Sequence, residues 1–273
     1  MIVKGKRRLL RIAAVVAALG VSGWLADAAV AINVERTISR SVEDATHLPV
    51  PPRVYVGGTP YTAALLSGNV PKISTHVMDV DVPNFGVVNA TTDVFNLTMN
   101  REQVLSGDLD GVVARVISRS VSLDGVALGE HLQMTDLQIS HPYDISPSGG
   151  TAAEVLLTGT PAGLEEPVTV LARLRISGTT ITMTPTELRD GPEDPARQEE
   201  IKQQFFFQID SRELPLPSQA SQVFVRGGSV VFESEQRNVR LDIRDLSPLG
   251  PQVQEITSEG KRRNEAEIAE LGS

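Results

Sequence analysis

The 273-residue chain contains no cysteine, which excludes a disulfide scaffold and a lipoprotein attachment site. Aromatic residues are also scarce, at 4%, although hydrophobic residues make up 41% of the chain. Valine, leucine, isoleucine and alanine must therefore fill most of the core. The length allows one large β-rich domain or two small ones, with ample core in either case.

Positive charge is concentrated at the N-terminus. The chain has 25 basic and 34 acidic residues, a net charge of −9, and five of the basic residues lie within the first eleven positions. A nucleic-acid-binding protein needs a concentrated basic surface to neutralise phosphates. The sequence shows none beyond the N-terminal cluster, so we expect no nucleic-acid partner.

Motifs for catalysis, nucleotide binding and metal binding are missing as well. There is no G-x-S-x-G, G-x-x-x-x-G-K-[ST] or G-x-G-x-x-G motif. No two of the four histidines stand at i, i+4, and without cysteine a structural zinc site would need ligands from distant segments. We expect no metal, no cofactor and no enzymatic activity.

Paired carboxylates leave one enzymatic alternative, a hydrolase or glycosidase acting on envelope glycans. Such an enzyme needs two acids that converge in a concave site. Alternation along a strand places Asp79 and Asp81 on one face, which the solvated side of a sheet would also explain. The candidate acids are Asp79, Asp81, Asp93, Glu165 and Glu166.

The N-terminal segment has the composition of a targeting signal. Its basic start precedes fifteen uncharged residues, Ile12 to Ala26, and small-residue sites follow at 26–28 and 29–31. We therefore assign residues 1–31 to a signal peptide or an N-terminal membrane anchor, because the mostly apolar stretch reaches Val34 and could cross a bilayer. We expect export, with both cleavage and retention of the helix left open.

Two short helical regions are predicted next. Ile32, Val34, Ile38 and Val42 are expected on one face of an amphipathic helix that continues from the targeting segment. A second helix is predicted over residues 61–66. Its L-L-S-G ending at 65–68 is similar to V-L-S-G at 104–107, and this is either a weak repeat or a common helix ending.

Most of the remaining chain alternates between apolar and polar residues, as in Val168 to Ile176. This period of two predicts a largely antiparallel, half-solvated sheet. The one later helix predicted is Pro195 to Phe207, with Asp194 as a candidate cap. A charged, exposed tail is expected over residues 247–273. The other predicted strands cover residues 53–56, 72–82, 112–123, 132–139, 151–158, 179–184, 223–225, 229–232 and 239–243.

Several of these segments carry a recognisable set of motifs in a fixed order. The motifs are V-Y-V-G-G-T-P-Y at 54–61, L-L-S-G at 65–68, L-S-G at 105–107, L-P-L-P at 214–217 and V-F-V-R-G-G-S-V-V at 223–231. With their G-G-x-P-[FY] turn and this order of elements, residues 31–243 resemble the LmeA family of actinobacterial envelope proteins. The chain departs from the family in its charged tail and in the run Phe205 to Phe207.

The resemblance implies one elongated domain, residues 32–246, of the tubular lipid-binding (TULIP) type. Its fold class would be α+β and mainly β, with a long curved antiparallel sheet wrapped around a helix and an apolar tunnel for acyl chains. The implied partners are phospholipids or glycophospholipids such as mannosylated phosphoinositides, together with the membrane surface through the N-terminal segment. The implied role is support of lipoglycan or lipomannan maturation, or lipid transfer.

The residues expected to contact acyl chains combine the second short helix, one long strand and the Phe205–Phe207 run. Three consecutive aromatic residues on a helix cannot share one face, so one should point away from the core unless two layers bury all three. A structural β-domain with a filled interior remains the third alternative. The expected contact residues are Tyr61, Leu65, Leu66, Val77, Val80, Phe205, Phe206 and Phe207.

Overall fold

The computed structural model describes residues 2–46, 48, 50–82, 85–142 and 149–250. The predicted tail from residue 251 onward lies outside this range. The helices are α1 (Ile2–Thr46), α2 (Ala64–Ser67), α3 (Arg101–Ser106), α4 (Gly125–Leu132) and α5 (Pro195–Gln204), with 3₁₀ segments at Tyr61–Ala63 and Ile243–Leu246.

The strands form two antiparallel sheets. The first has the order β1-β2-β3-β4-β11-β10 and curls into a half-barrel, and the second has the order β5-β6-β7-β8-β9. The second sheet contacts the first mainly through β10, and also where β5 lies against β11. The strands are β1 (Arg53–Val56), β2 (Asn69–Val82), β3 (Gly86–Thr98), β4 (Val113–Asp124), β5 (Gln138–Ser140), β6 (Ala152–Gly159), β7 (Val168–Ser177), β8 (Thr180–Asp190), β9 (Phe207–Asp210), β10 (Gln222–Arg226) and β11 (Ser229–Arg240).

Helix α1 runs without interruption from the apolar N-terminal segment into the core. Its most apolar stretch is long enough to cross a membrane and is exposed. Val34, Ile38 and Val42 are buried one turn apart, and this part of α1 packs against β1, α3 and both 3₁₀ segments. Ile32 is exposed, because it lies two residues before Val34 and therefore points to the opposite side of the helix.

The mainly β, α+β fold with a curved antiparallel sheet and a long helix, expected from the sequence, is confirmed. Two local predictions are wrong. Residues 132–139 are not one strand, because helix α4 extends to Leu132 and β5 begins only at Gln138. The helix from Pro195 ends at Gln204, and Phe207 instead begins strand β9, where it pairs with Met183.

The C-terminal part of the chain also differs from its prediction. Residues 229–232 and 239–243 were expected as two strands, but β11 continues to Arg240 and a 3₁₀ segment follows. Residues 247–250 were expected in an exposed tail, and they are buried. Leu246 and Leu249 belong to the hydrophobic core, which explains why this segment folds back onto the first sheet.

Candidate functional site

One side of the first sheet is covered, and we call it the inner face. Its residues are identified by register, because directly paired residues on neighbouring strands point to the same side. Ile73 pairs with Val94, and Val94 pairs with Ile117; further along the strands, Ala90 joins Val77 to Val121. All of these side chains are buried, so the inner face is apolar over two separate stretches.

A row of polar side chains crosses the inner face between these apolar stretches. Thr92 pairs with Thr75 on one side and with Arg119 on the other, and Arg119 pairs with Ser234. All four residues are buried, and Arg119 is only 6% exposed. We call these four residues the polar row.

Residues 241–250, which we call the C-terminal strap, cover the polar row. The Arg119 guanidinium donates from Nε and Nη2 to the main-chain oxygen of Asp245, at 3.1 and 2.5 Å. Nη2 also donates to the Asp245 carboxylate at 3.0 Å, and the Thr92 hydroxyl donates to the main-chain oxygen of Ser247 at 3.0 Å. Burial lowers the pKa of Arg119, and the Asp245 carboxylate opposes this shift.

Thr75, also in the polar row, differs from Arg119 and Thr92 in its hydrogen bonding. Its hydroxyl is fully buried and has no hydrogen-bond partner among the described residues. A buried polar atom without a partner is costly, so such atoms in a native fold call for a specific explanation. Thr75 therefore leaves unused hydrogen-bonding capacity on the inner face.

Beyond the polar row, aromatic side chains join the two sheets. The His131 ring lies between Phe85 and Phe207, with ring centroids 5.3 and 5.2 Å away. Burial lowers the pKa of His131, against the opposing charges of Glu130 and Glu213. The stack links the end of the β2–β3 hairpin to α4 and β9.

The predicted contact residues on and before α2 lie at the opposite end of β2 from this stack. Tyr61 is buried, and its hydroxyl donates to the Val104 oxygen at 2.7 Å. Burial raises the pKa of Tyr61 to about 12. Leu65 is half-buried against the core, whereas Leu66 is 88% exposed.

The remaining predicted contact residues are mostly buried. Val77 and Val80 lie on either side of a bulge in β2, and both are in the core. Phe205 and Phe207 are buried and Phe206 is 45% exposed, so one aromatic ring does point away from the core. The expectation that two layers bury all three is wrong, because the chain passes from helix to strand within this run.

The structure therefore places the predicted contact residues in two groups rather than in one cluster. The eight residue steps along β2 from Asn69, next to α2, to Val77 span about 26 Å at the usual rise per residue. Sequence reasoning missed the polar row, which depends on strand register. In β2, β3 and β4, the signal it could have used is a polar residue between two apolar inward-facing neighbours, as Thr75 is between Ile73 and Val77.

Within the described part of the chain, two clefts border α1. One of about 510 Å³ lies between α1, the turn after α3 and residues 242–244 of the strap. The other, of about 570 Å³, lies between α1 and residues 51–54. None of the predicted contact residues lines either cleft, and both are bordered by charged side chains.

The candidate acids do not converge in these clefts or on the inner face. Asp79 and Asp81 are exposed, as are Glu165 and Glu166. Asp93 follows the inward-facing Thr92 and points to the opposite side, where it forms an ion pair with Lys72 at 3.0 Å. No group of potential metal ligands occurs within the part of the chain that the structure describes.

Comparison with known proteins gives one match. A family model described as LmeA-like phospholipid-binding matches residues 25–235. This range contains the first sheet except for the last five residues of β11. It also contains the polar row and both groups of predicted contact residues. No curated protein and no solved structure matches the chain.

Proposed function

Because the chain belongs to the LmeA-like phospholipid-binding family, we propose that it is an exported, non-enzymatic protein of the cell envelope that binds phospholipid on its inner face. The observation that carries this proposal is the inner face itself. It combines two buried apolar stretches with a row of polar groups that includes a cation. The acyl chains of a phospholipid need an apolar surface, and its phosphate needs polar groups and a cation.

The acyl chains are assigned to the apolar stretches. Val77, Val80, Phe205 and Phe207 would contact them beyond the polar row, and Tyr61 and Leu65 at the opposite end. Each buried methylene contributes about 0.8 kcal/mol, so apolar contact alone can hold two acyl chains. Leu66 and Phe206, the two exposed members of the predicted set, would lie at openings to the surface.

The lipid phosphate is assigned to the polar row. Arg119 presents a planar guanidinium, which suits a phosphate as well as a carboxylate. In this structure the guanidinium forms an ion pair with Asp245. A lipid would have to displace this part of the strap. The unpartnered Thr75 hydroxyl on the same row supports a ligand that brings its own acceptors.

The class of lipid follows from the family resemblance. We propose a phospholipid or a glycophospholipid such as a mannosylated phosphoinositide, and a role in lipoglycan or lipomannan maturation or in lipid transfer. The apolar N-terminal helix supports a location at the membrane surface of the envelope.

Native mass spectrometry of the full chain, purified from its own membranes, tests the proposal. We expect co-purifying phospholipid, less of it in Leu65→Asp and Phe206→Asp, and an unchanged amount in Asp79→Asn. Asp79 is the matched control, because it is exposed on β2 and its positive φ of 55° is well tolerated by asparagine. Circular dichroism checks that each variant folds.

Two results would contradict the proposal. A chain that carries no lipid and has a filled interior would support the structural β-domain instead. Equal lipid content in the Leu65 and Phe206 variants, with their folds intact, would show that the lipid lies elsewhere.

A further inference from the structure

Asp27, the one acidic residue within the apolar N-terminal segment, is bound by the folded domain. Its carboxylate accepts hydrogen bonds from the backbone N–H groups of Tyr61 and Thr62, at 3.0 and 2.7 Å, and from the Thr62 hydroxyl at 2.7 Å. These donors lie at the start of the 3₁₀ segment that leads into α2. Asp27 thus fixes one end of the domain to a definite turn of α1.

The length of the apolar segment places this turn at the edge of a bilayer. The fifteen uncharged residues between Arg11 and Asp27 extend about 22 Å as a helix, about 8 Å less than the thickness of the hydrocarbon core, about 30 Å. When α1 spans the membrane, these two charged residues would therefore lie at the two edges of the core. Trp24, exposed one turn before Asp27, is of the residue type enriched at membrane interfaces. A membrane-spanning α1 would therefore bring Asp27, and the domain end bound to it, into the interface.

This end of the domain exposes two leucines. Leu66 is 88% exposed at the end of α2, and Leu105 is 49% exposed at the end of α3. Each directly precedes a Ser-Gly pair whose glycine ends the helix in the left-handed conformation, with φ of 66° at Gly68 and 75° at Gly107. The two helices contact each other, and Arg101 Nε donates to the Leu65 oxygen at 3.1 Å.

We propose that Leu66 and Leu105 form a bilayer-contacting surface, and that Asp27 holds this surface against the membrane from which α1 emerges. The repeated L-S-G ending then presents a leucine to the lipid in both copies. The geometry also favours retention of α1, because cleavage after Ala28 or Ala31 would remove Asp27 and leave the Tyr61 and Thr62 N–H groups without their acceptor. The occupant is a lipid bilayer surface, distinct from the lipid molecule bound on the inner face.

Fluorescence quenching by brominated phosphatidylcholine and phosphatidylglycerol in vesicles tests the proposed contact. Trp24→Phe removes the single native tryptophan, and Leu66→Trp then reports on the proposed surface in the full chain. Val126→Trp is the matched control, because Val126 is 75% exposed just after β4, at the end of the sheet opposite α2. We expect quenching several-fold stronger at position 66 than at position 126.

A second variant isolates the role of Asp27. Asp27→Ala, added to the Leu66→Trp chain, should reduce quenching at position 66 while the chain still sediments with the vesicles. Equal quenching at positions 66 and 126 would overturn the proposed surface, and unchanged quenching in Asp27→Ala would overturn the role of Asp27.

The inference rests on the membrane location in the proposed function, and separate results distinguish the two. A chain that does not sediment with vesicles contradicts membrane anchoring, whereas native mass spectrometry tests lipid binding independently. The intact mass of the chain recovered from membranes tests retention. A mass that lacks residues 1–28 or 1–31 would overturn it.

Discussion

Arg119 donates two hydrogen bonds to the main-chain oxygen of Asp245 and a third to its carboxylate, although 126 residues separate the two in sequence. The contact joins the middle of β4 to the C-terminal strap. Because Arg119 is buried, its charge depends on these acceptors for compensation. The last part of the described chain is thus tied to the centre of the inner face.

Replacing Arg119 should loosen the strap. We expect Arg119→Met to lower the free energy of unfolding by about 1–3 kcal/mol, because the half-buried Asp245 loses the donors to its main-chain oxygen and its carboxylate. Arg115→Met is the matched control, since Arg115 is exposed on the same strand, and it should change stability by less than about 0.5 kcal/mol. Urea unfolding of both variants measures the difference, and equal effects would contradict this role of Arg119.

Acidification should destabilise the domain through His131. Its pKa is lowered in the folded protein, so the unfolded chain binds the proton more readily. This contribution to stability is complete above the ordinary histidine pKa of about 6.5 and is lost as the pH falls below it. Urea unfolding between pH 8 and pH 5 should show that the free energy of unfolding falls less on acidification in His131→Leu than in the native chain.

His76 provides the control for that measurement. It lies on the outer face of β2, where its Nδ1 is 2.9 Å from the Thr91 hydroxyl. His76→Gln leaves the Phe85–His131–Phe207 stack intact, so the loss of stability that this stack causes on acidification should remain. If His131→Leu retained the same sensitivity as His76→Gln, the aromatic stack would not be the source of it.

Gly125 should not tolerate a side chain. A Cβ at this position would overlap the main-chain oxygen of Leu137, which cannot move without shifting the start of β5. We expect Gly125→Ala to destabilise the domain by about 1–3 kcal/mol. Gly150→Ala is the control, because nothing lies within 4 Å of the added carbon. Thermal unfolding compares the two, and similar melting temperatures would contradict the predicted overlap.

The strands were predictable because their alternation reflects one covered and one solvated face. Val168–Ser177 and Arg53–Val56 follow this pattern and appear as β7 and β1. Helix α4 was missed because it contains Gly125 and Gly129, which disfavour helix in isolation. In the fold, both glycines allow the main-chain oxygens of Leu137 and Met134 to approach the helix closely, a tertiary cause that local propensity does not carry.

The candidate site was less accessible to sequence reasoning. The polar row needs the register of four strands, and Thr75 is two positions from Val77 in a strand that otherwise has apolar inner residues. The strap needs a contact between residues 126 positions apart. Charge composition near the C-terminus predicted exposure from Ser247, but Leu246 and Leu249 supply enough apolar surface to bury residues 247–250.

The uninterrupted course of α1 from Ile2 to Thr46 has a mechanical consequence. A helix that is embedded in a membrane at one end and packed into a core at the other behaves as a rigid rod. Any tilt of the helix in the membrane is therefore transmitted to the domain. Glu35, which accepts from the Val56 N–H at 3.0 Å, adds a second fixed point above Asp27. If α1 is retained in the membrane, as proposed above, the domain would stay at a constant height over one leaflet, and its lipids would have to arrive by lateral diffusion.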